Sequence, residues 1–282
     1  MIEASPDTSL SDDVRRHDYD RYLCTLFAPE HRRPALIALL ALNLELGRIR
    51  ERVGEPMLGR MRLTWWSETI EGVFGGTPRR HPVALALAGA VAQHSISRDA
   101  LESMIDARER EFVEQGFQSF EALEQFARGT SGALHRACLT VLGVKAPKAA
   151  AAADHVGTAW ALIGLVRGLP YHTRMGRVYL PQDALAEAQL STGSLSSPGA
   201  AVRLVPVLEP IVESVSRHLR QARDLRRDVP LESLPALLPA VLADAYVREL
   251  RRSSHDPFAL RDESNRLLRQ LRLVWASFRK RY

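Results

Sequence analysis

The chain has 282 residues, 46% hydrophobic and 25% charged, with a formal net charge of +5. That is an ordinary globular balance with length enough for a large core, and the mild positive excess suits anionic or phosphorylated partners without selecting one. Aromatics are only 6% of residues, which argues against a nucleic-acid-binding surface, and two cysteines, Cys24 and Cys138, exclude a disulfide framework or zinc-ligand spacing.

The opening MIEASPDTSLSDD is acidic and polar. It is neither a signal peptide nor an Arg-rich transit peptide, and residues 1–12 read as a flexible tail. No apolar run approaches the ~20 residues that span a bilayer, so a soluble protein of a reducing compartment is expected, with both cysteines as buried thiols. Helical periodicity then runs through most of the chain, with no period-two alternation. A first helix is expected over Asp13–Leu26 and a second from Pro34, which suits a first helical position. A third carries Met57, Met61, Trp65, Ile70 and Val73. GGTPRRHP (residues 75–82) is a turn cluster. Ser97 reads as the N-cap of a helix through Glu114, and Ser119 as the cap of the next, which GTSG (residues 129–132) bends. Helices are expected over Lys148–Arg167, Ala201–Arg227 and Leu234–Arg251, with a loop over residues 191–200. In the last helix Leu267, Leu271, Val274, Trp275 and Phe278 form an apolar stripe with Arg266, Arg269, Arg272 and Arg279 between them. The expectation is a stripe docked on the core; the sharper reading is a surface for an anionic membrane or an acidic partner. No repeat or linker divides the chain, so residues 1–282 read as one all-α domain of roughly ten helices.

Chemistry is sparse by motif. No G-x-S-x-G, P-loop or paired zinc ligands occur, and His135, His172 and His218 are scattered. Asp224 and Asp228 share a helix face at i, i+4 and suit Mg²⁺ by spacing, but Arg223, Arg226 and Arg227 around them favour surface ion pairs. One stretch stands apart: RGLPYHTRMGRVYLP (residues 167–181) joins three Arg, a His and two Tyr without a carboxylate. It reads as a site for an anion.

In order and spacing, DYDRYLCTLFAP (residues 18–29), RRPALIALLALNLELGRIRE (32–51), GRMRLTWW (59–66), PRRHPVALAL (78–87) and MGRVYLPQD (175–183) resemble the squalene/phytoene synthase family. GRVYLP is the most specific piece, since that family carries G-R-I/V-Y-L-P there. The resemblance implies a single-domain isoprenoid-synthase-like helical bundle with a central pocket. Active members join two prenyl diphosphates, and two aspartate-rich segments on facing helices hold the Mg²⁺ ions that neutralise the leaving diphosphate. Placed residue by residue, the first motif falls on Ala41–Glu51, with Gly47 and Arg48 where paired aspartates are implied and only Glu51 keeping an acid. The second falls on Gly168–Pro181, with Gly168 and His172 in place of its aspartates and Arg174, Gly176, Arg177, Tyr179, Leu180 and Pro181 kept. A middle segment, REREF (residues 108–112), keeps its acid as Glu111. A cation at Arg48 within ~4–6 Å of a Mg²⁺ site would oppose the metal.

LNLELGRIRE, MRLTWW, GLPYHTRMGRVYLP and VWASFRKRY also resemble a degenerate branch of the family, that of mitochondrial complex I assembly factor 6 and its bacterial relatives. This implies a non-catalytic role with complex I subunits or assembly intermediates, in the cytoplasm at the inner face of a bacterial membrane. No cofactor is expected, and Glu51 and Glu111 are at most weak metal ligands. Arg48, Arg167, Arg174, Arg177 and Tyr179 are the candidate contacts for a prenyl diphosphate or an anionic lipid. The alternative is an active, Mg²⁺-dependent prenyl transferase.

Overall fold

The computed structural model describes residues 6–113, 116–197, 199–260 and 266–282, and among them there is no β-strand. The single helix expected over Asp13–Leu26 is instead α1 (Pro6–His17) and α2 (Tyr19–Thr25), separated at Asp18, whose φ of −140° leaves the helical region. Asp18 accepts an ion pair from Arg21 at 2.6 Å, which holds this break. Of the expected flexible tail, residues 1–5 lie outside the described residues and residues 6–12 are the first turns of α1.

Next come α3 (Arg33–Arg52), with Pro34 in its first turn, and α4 (Pro56–Phe74) and α5 (Pro82–Gln93), joined by the Gly-Pro turn. On α4, Ile70 and Val73 are buried while Met57, Met61 and Trp65 face outward. The helix capped by Ser97 ends sooner than expected: α6 (Arg98–Arg108) tightens into a 3-10 turn, Glu109–Phe112. Ser119 caps α7 (Phe120–Ala127) through its hydroxyl and the Ala122 N–H. The GTSG bend is a π-helical turn, Arg128–Gly132, leading into α8 (Ala133–Val141).

At the centre lies α9 (Pro147–Arg167), packed against α8, the π-turn and two later helices, α12 (Ala200–Asp224) and α14 (Pro239–Arg252). Contrary to the expectation that no run is long enough, α9 has the length and apolar composition of a membrane span, but over half of its apolar window is buried inside this fold. That is the composition of a helix surrounded by other helices. The remaining helices are α10 (Leu169–Arg174), α11 (Gln182–Glu187), α12 (Ala200–Asp224), α13 (Leu234–Leu237), α14 (Pro239–Arg252) and α15 (Arg266–Phe278). Buried side chains from Leu10 to Tyr282 form one contiguous cluster that includes both free cysteines.

The apolar stripe of α15 does not dock. Trp275 is 60% and Phe278 80% exposed, and Leu271 and Val274 also face out. Only Leu273 and Ala276 are buried from this helix.

Candidate functional site

Three distant segments meet across the bundle. Gly47 and Asn43 come from α3, Arg108 and Glu111 from the end of α6 and the turn after it, and His172 and Tyr179 from α10 and the irregular stretch beyond. The Arg108 guanidinium lies in the middle. It donates to Glu111 Oε2 at 3.1 Å and to Asn43 Oδ1 at 3.3 Å, and its charge sits 5.5 Å from the Phe126 ring centre. It lies against Gly47, where a Cβ would stand 3.6 Å from Arg108 Nη2, in ordinary contact. The other Glu111 oxygen accepts from the Tyr179 hydroxyl at 2.8 Å. The His172 ring packs on Tyr179, centres 4.7 Å apart. The turn itself is seated by Gly59 on α4, where a Cβ would fall 1.9 Å from the Phe112 ring.

The Glu111 side chain is only 3% exposed. A carboxylate so far from water needs a counter-charge and donors, and Arg108 and Tyr179 supply them. Burial, then the Glu111 charge, drives the Tyr179 hydroxyl well above its ordinary range, so it remains a neutral donor. Burial, then the charge of Arg177, pushes His172 down to about 4. It is therefore a neutral ring at pH 7.

Mg²⁺ requires about six oxygen ligands in octahedral array. Here both oxygens of Glu111 are engaged by an arginine and a phenol, and no group of three or more His, Cys, Asp or Glu suited to a metal exists among the described residues. The donor set does not fit the metal that the family resemblance implies. Glu51 is exposed and outside this cluster. Of the other spaced pair, Asp228 is in a surface ion pair with Lys148 at 2.7 Å.

The candidate arginines separate. Arg48 turns towards α1 and binds Asp13 at 2.8 and 3.2 Å. Arg167 stacks over the Tyr246 ring, 3.4 Å from its centre, in a second network where Tyr246 and Arg269 both reach Asp20. Arg174 is exposed. Arg177 alone joins Tyr179 and Glu111 at a cleft of about 230 Å³, which Arg50, Arg110 and Gln182 also line. Neither Arg110 nor Arg177 has an ion-pair partner among the described residues. Asn43, Arg50 and Arg108 escaped the sequence reading. Their types gave no signal, because only the fold decides which face of REREF turns inward.

An apolar cavity between α2, α3 and α8, lined by Cys24, Leu36, Leu40, Leu134 and His135, has about 20 Å³. Ligand pockets are roughly 300–1,000 Å³, so no prenyl chain fits it as it stands. A wider cleft of about 860 Å³ opens elsewhere, between the end of α3 and α4.

The buried imidazoles have a consequence for stability. Burial pushes His155, like His172, to about 4 and His135 to about 3. As pH falls, the unfolded chain takes up these protons first, near 6.5. Stability from the neutral rings is therefore whole above pH ~6.5 and lost as pH falls towards 4. Urea unfolding midpoints are expected to fall through that window, and His172→Gln to flatten part of the fall; a midpoint independent of pH there would contradict this.

Several known proteins resemble this chain. A model described as squalene/phytoene synthase matches residues 14–278. The mouse (Mus musculus) protein named NADH dehydrogenase (ubiquinone) complex I, assembly factor 6 is 33% identical over 269 residues, 95% of this chain and 81% of that one. Phytoene synthase of Cereibacter sphaeroides is 24% identical over 291 residues, 98% of this chain and 79% of that one. A crystal structure of a dehydrosqualene synthase superposes with a TM-score of 0.81 at 15% identity, covering 97% of this chain and 95% of that one, which establishes a shared isoprenoid-synthase-type helical fold. With its retained GRVYLP and a match over nearly its whole length, the chain belongs to the squalene/phytoene synthase family.

Proposed function

We propose that this chain is a non-catalytic family member that serves the assembly of respiratory complex I, acting on its subunits or assembly intermediates. Its likeness to assembly factor 6, 33% identical over most of both chains, supports the role. The observation that carries the loss of chemistry is Arg108, whose guanidinium occupies Glu111 and Asn43. Prenyl diphosphate ionisation needs a divalent cation to neutralise the leaving group; a fixed guanidinium paired to a carboxylate has little charge left to offer. Arg110 and Arg177, with Arg50, line a polar cleft that suits the phosphate of an isoprenoid or lipid without a metal. The expected setting is the cytoplasm of a bacterium, at the inner face of its membrane.

Incubated with Mg²⁺ and farnesyl or geranylgeranyl diphosphate, the purified protein is expected to release no pyrophosphate. Deleting its gene is expected to deplete assembled complex I, with recovery on re-expression. Metal-dependent turnover would favour an active prenyl transferase instead, and normal complex I in the deletion strain would remove the assembly role.

A further inference from the structure

The helix α15 is held on the body by its polar side, and this turns its apolar side to solvent. Gln270 donates to the Tyr19 hydroxyl at 2.7 Å and Arg269 to Asp20 at 2.8 Å. Beyond the helix, Tyr282 is buried, donates to the Ala222 carbonyl at 3.0 Å, and its main-chain oxygen accepts from Arg223 at 3.0 Å. Anchors at both ends fix the rotation of the helix. The exposed stripe is thus a built feature of the fold, and Trp275 and Phe278 stack within it at 6.3 Å.

The segment that carries this stripe holds charge of one sign. Residues 266–282 carry five Arg and one Lys and no Asp or Glu. Arg279 covers the Trp275 ring at 5.4 Å. At the other end Arg266 shares a cleft with Arg15, Arg16 and a single acid, Asp12, of α1. A protein groove would enclose a helix on several sides, but here one side is committed to the body. What remains is a convex apolar ridge with cations along it. A bilayer of anionic lipids offers the matching form: apolar depth for Leu271, Trp275 and Phe278, and a plane of negative headgroups for the arginines.

We propose that α15 is a docking surface for an anionic lipid bilayer, with Trp275 and Phe278 inserted and Arg279, Lys280 and Arg281 on the headgroups. This deepens the peripheral-membrane part of the proposed function and is independent of the complex I role, because vesicle binding and complex assembly are read separately.

The test is cosedimentation of the full chain with vesicles of phosphatidylcholine alone, or of equal parts phosphatidylcholine and phosphatidylglycerol. Binding is expected to the mixed vesicles only, weakening as NaCl is added. Trp275→Ser with Phe278→Ser is expected to lower the partition coefficient roughly tenfold or more, and so is Arg279→Glu with Lys280→Glu and Arg281→Glu. All five side chains are exposed, so far-UV circular dichroism should not change; Phe278→Ser alone, with a smaller expected loss, serves should a combined variant misfold. Equal binding to both vesicle types, or binding unaffected by these substitutions, would overturn the proposal. So would soluble polyglutamate binding in preference to vesicles, which assigns the surface to an acidic protein. A dimer in solution that the same substitutions dissociate would overturn it too, by covering the stripe with a second copy.

Discussion

Arg108→Ala is expected to cost about 3–5 kcal/mol of folding stability, the usual range for removing one partner of a buried ion pair. Glu111 would be left with the Tyr179 hydroxyl and no counter-charge, in a place almost closed to water. Arg108→Met combined with Glu111→Leu removes the charge problem from both sides and should recover most of the loss. Denaturant unfolding of the two variants decides it. A single variant as stable as the parent at pH 7 would show that the pair does not hold the site together.

Gly157→Ala should be nearly as severe, at about 3 kcal/mol. A Cβ there would stand 2.4 Å from the Ser131 carbonyl oxygen and 2.7 Å from the Gly132 Cα. Both are backbone atoms of the π-turn, so no rotamer change relieves the clash. Gly164 lies two turns further along α9, and a Cβ there meets nothing within 4 Å. Gly164→Ala is expected to stabilise by up to about 1 kcal/mol, since alanine is the better helix former. Opposite signs from one substitution on one helix would be read directly from two thermal unfolding curves. Equal effects would mean that α9 and the π-turn are less closely seated than they are here.

The site was legible in part. GRVYLP, and the absence of aspartates at Gly47, Arg48, Gly168 and His172, were legible through the resemblance to the family's motifs, because a motif is a local pattern. That Arg108 would fill the place between Gly47 and Glu111 could not. REREF offers two arginines and two glutamates within five residues, and whether the segment continues as helix or tightens into a 3-10 turn decides which of them faces inward. Here it tightens, seated by Phe112 against Gly59. The same limit applied to Arg48 and Arg167: each suits a phosphate by type, yet Asp13 and Tyr246, remote in the chain, engage them.

Composition and period by themselves determined an all-helical chain, its caps at Ser97 and Ser119 and the turn at residues 75–82, because these depend on neighbours within one or two helical turns. They also determined that α15 has an apolar stripe. Which way the stripe faces was decided only in the tertiary structure. Asp20 and Tyr19 on α2 hold Arg269 and Gln270, Ala222 and Arg223 hold Tyr282, and together these polar contacts set the helix rotation that leaves Trp275 and Phe278 in solvent.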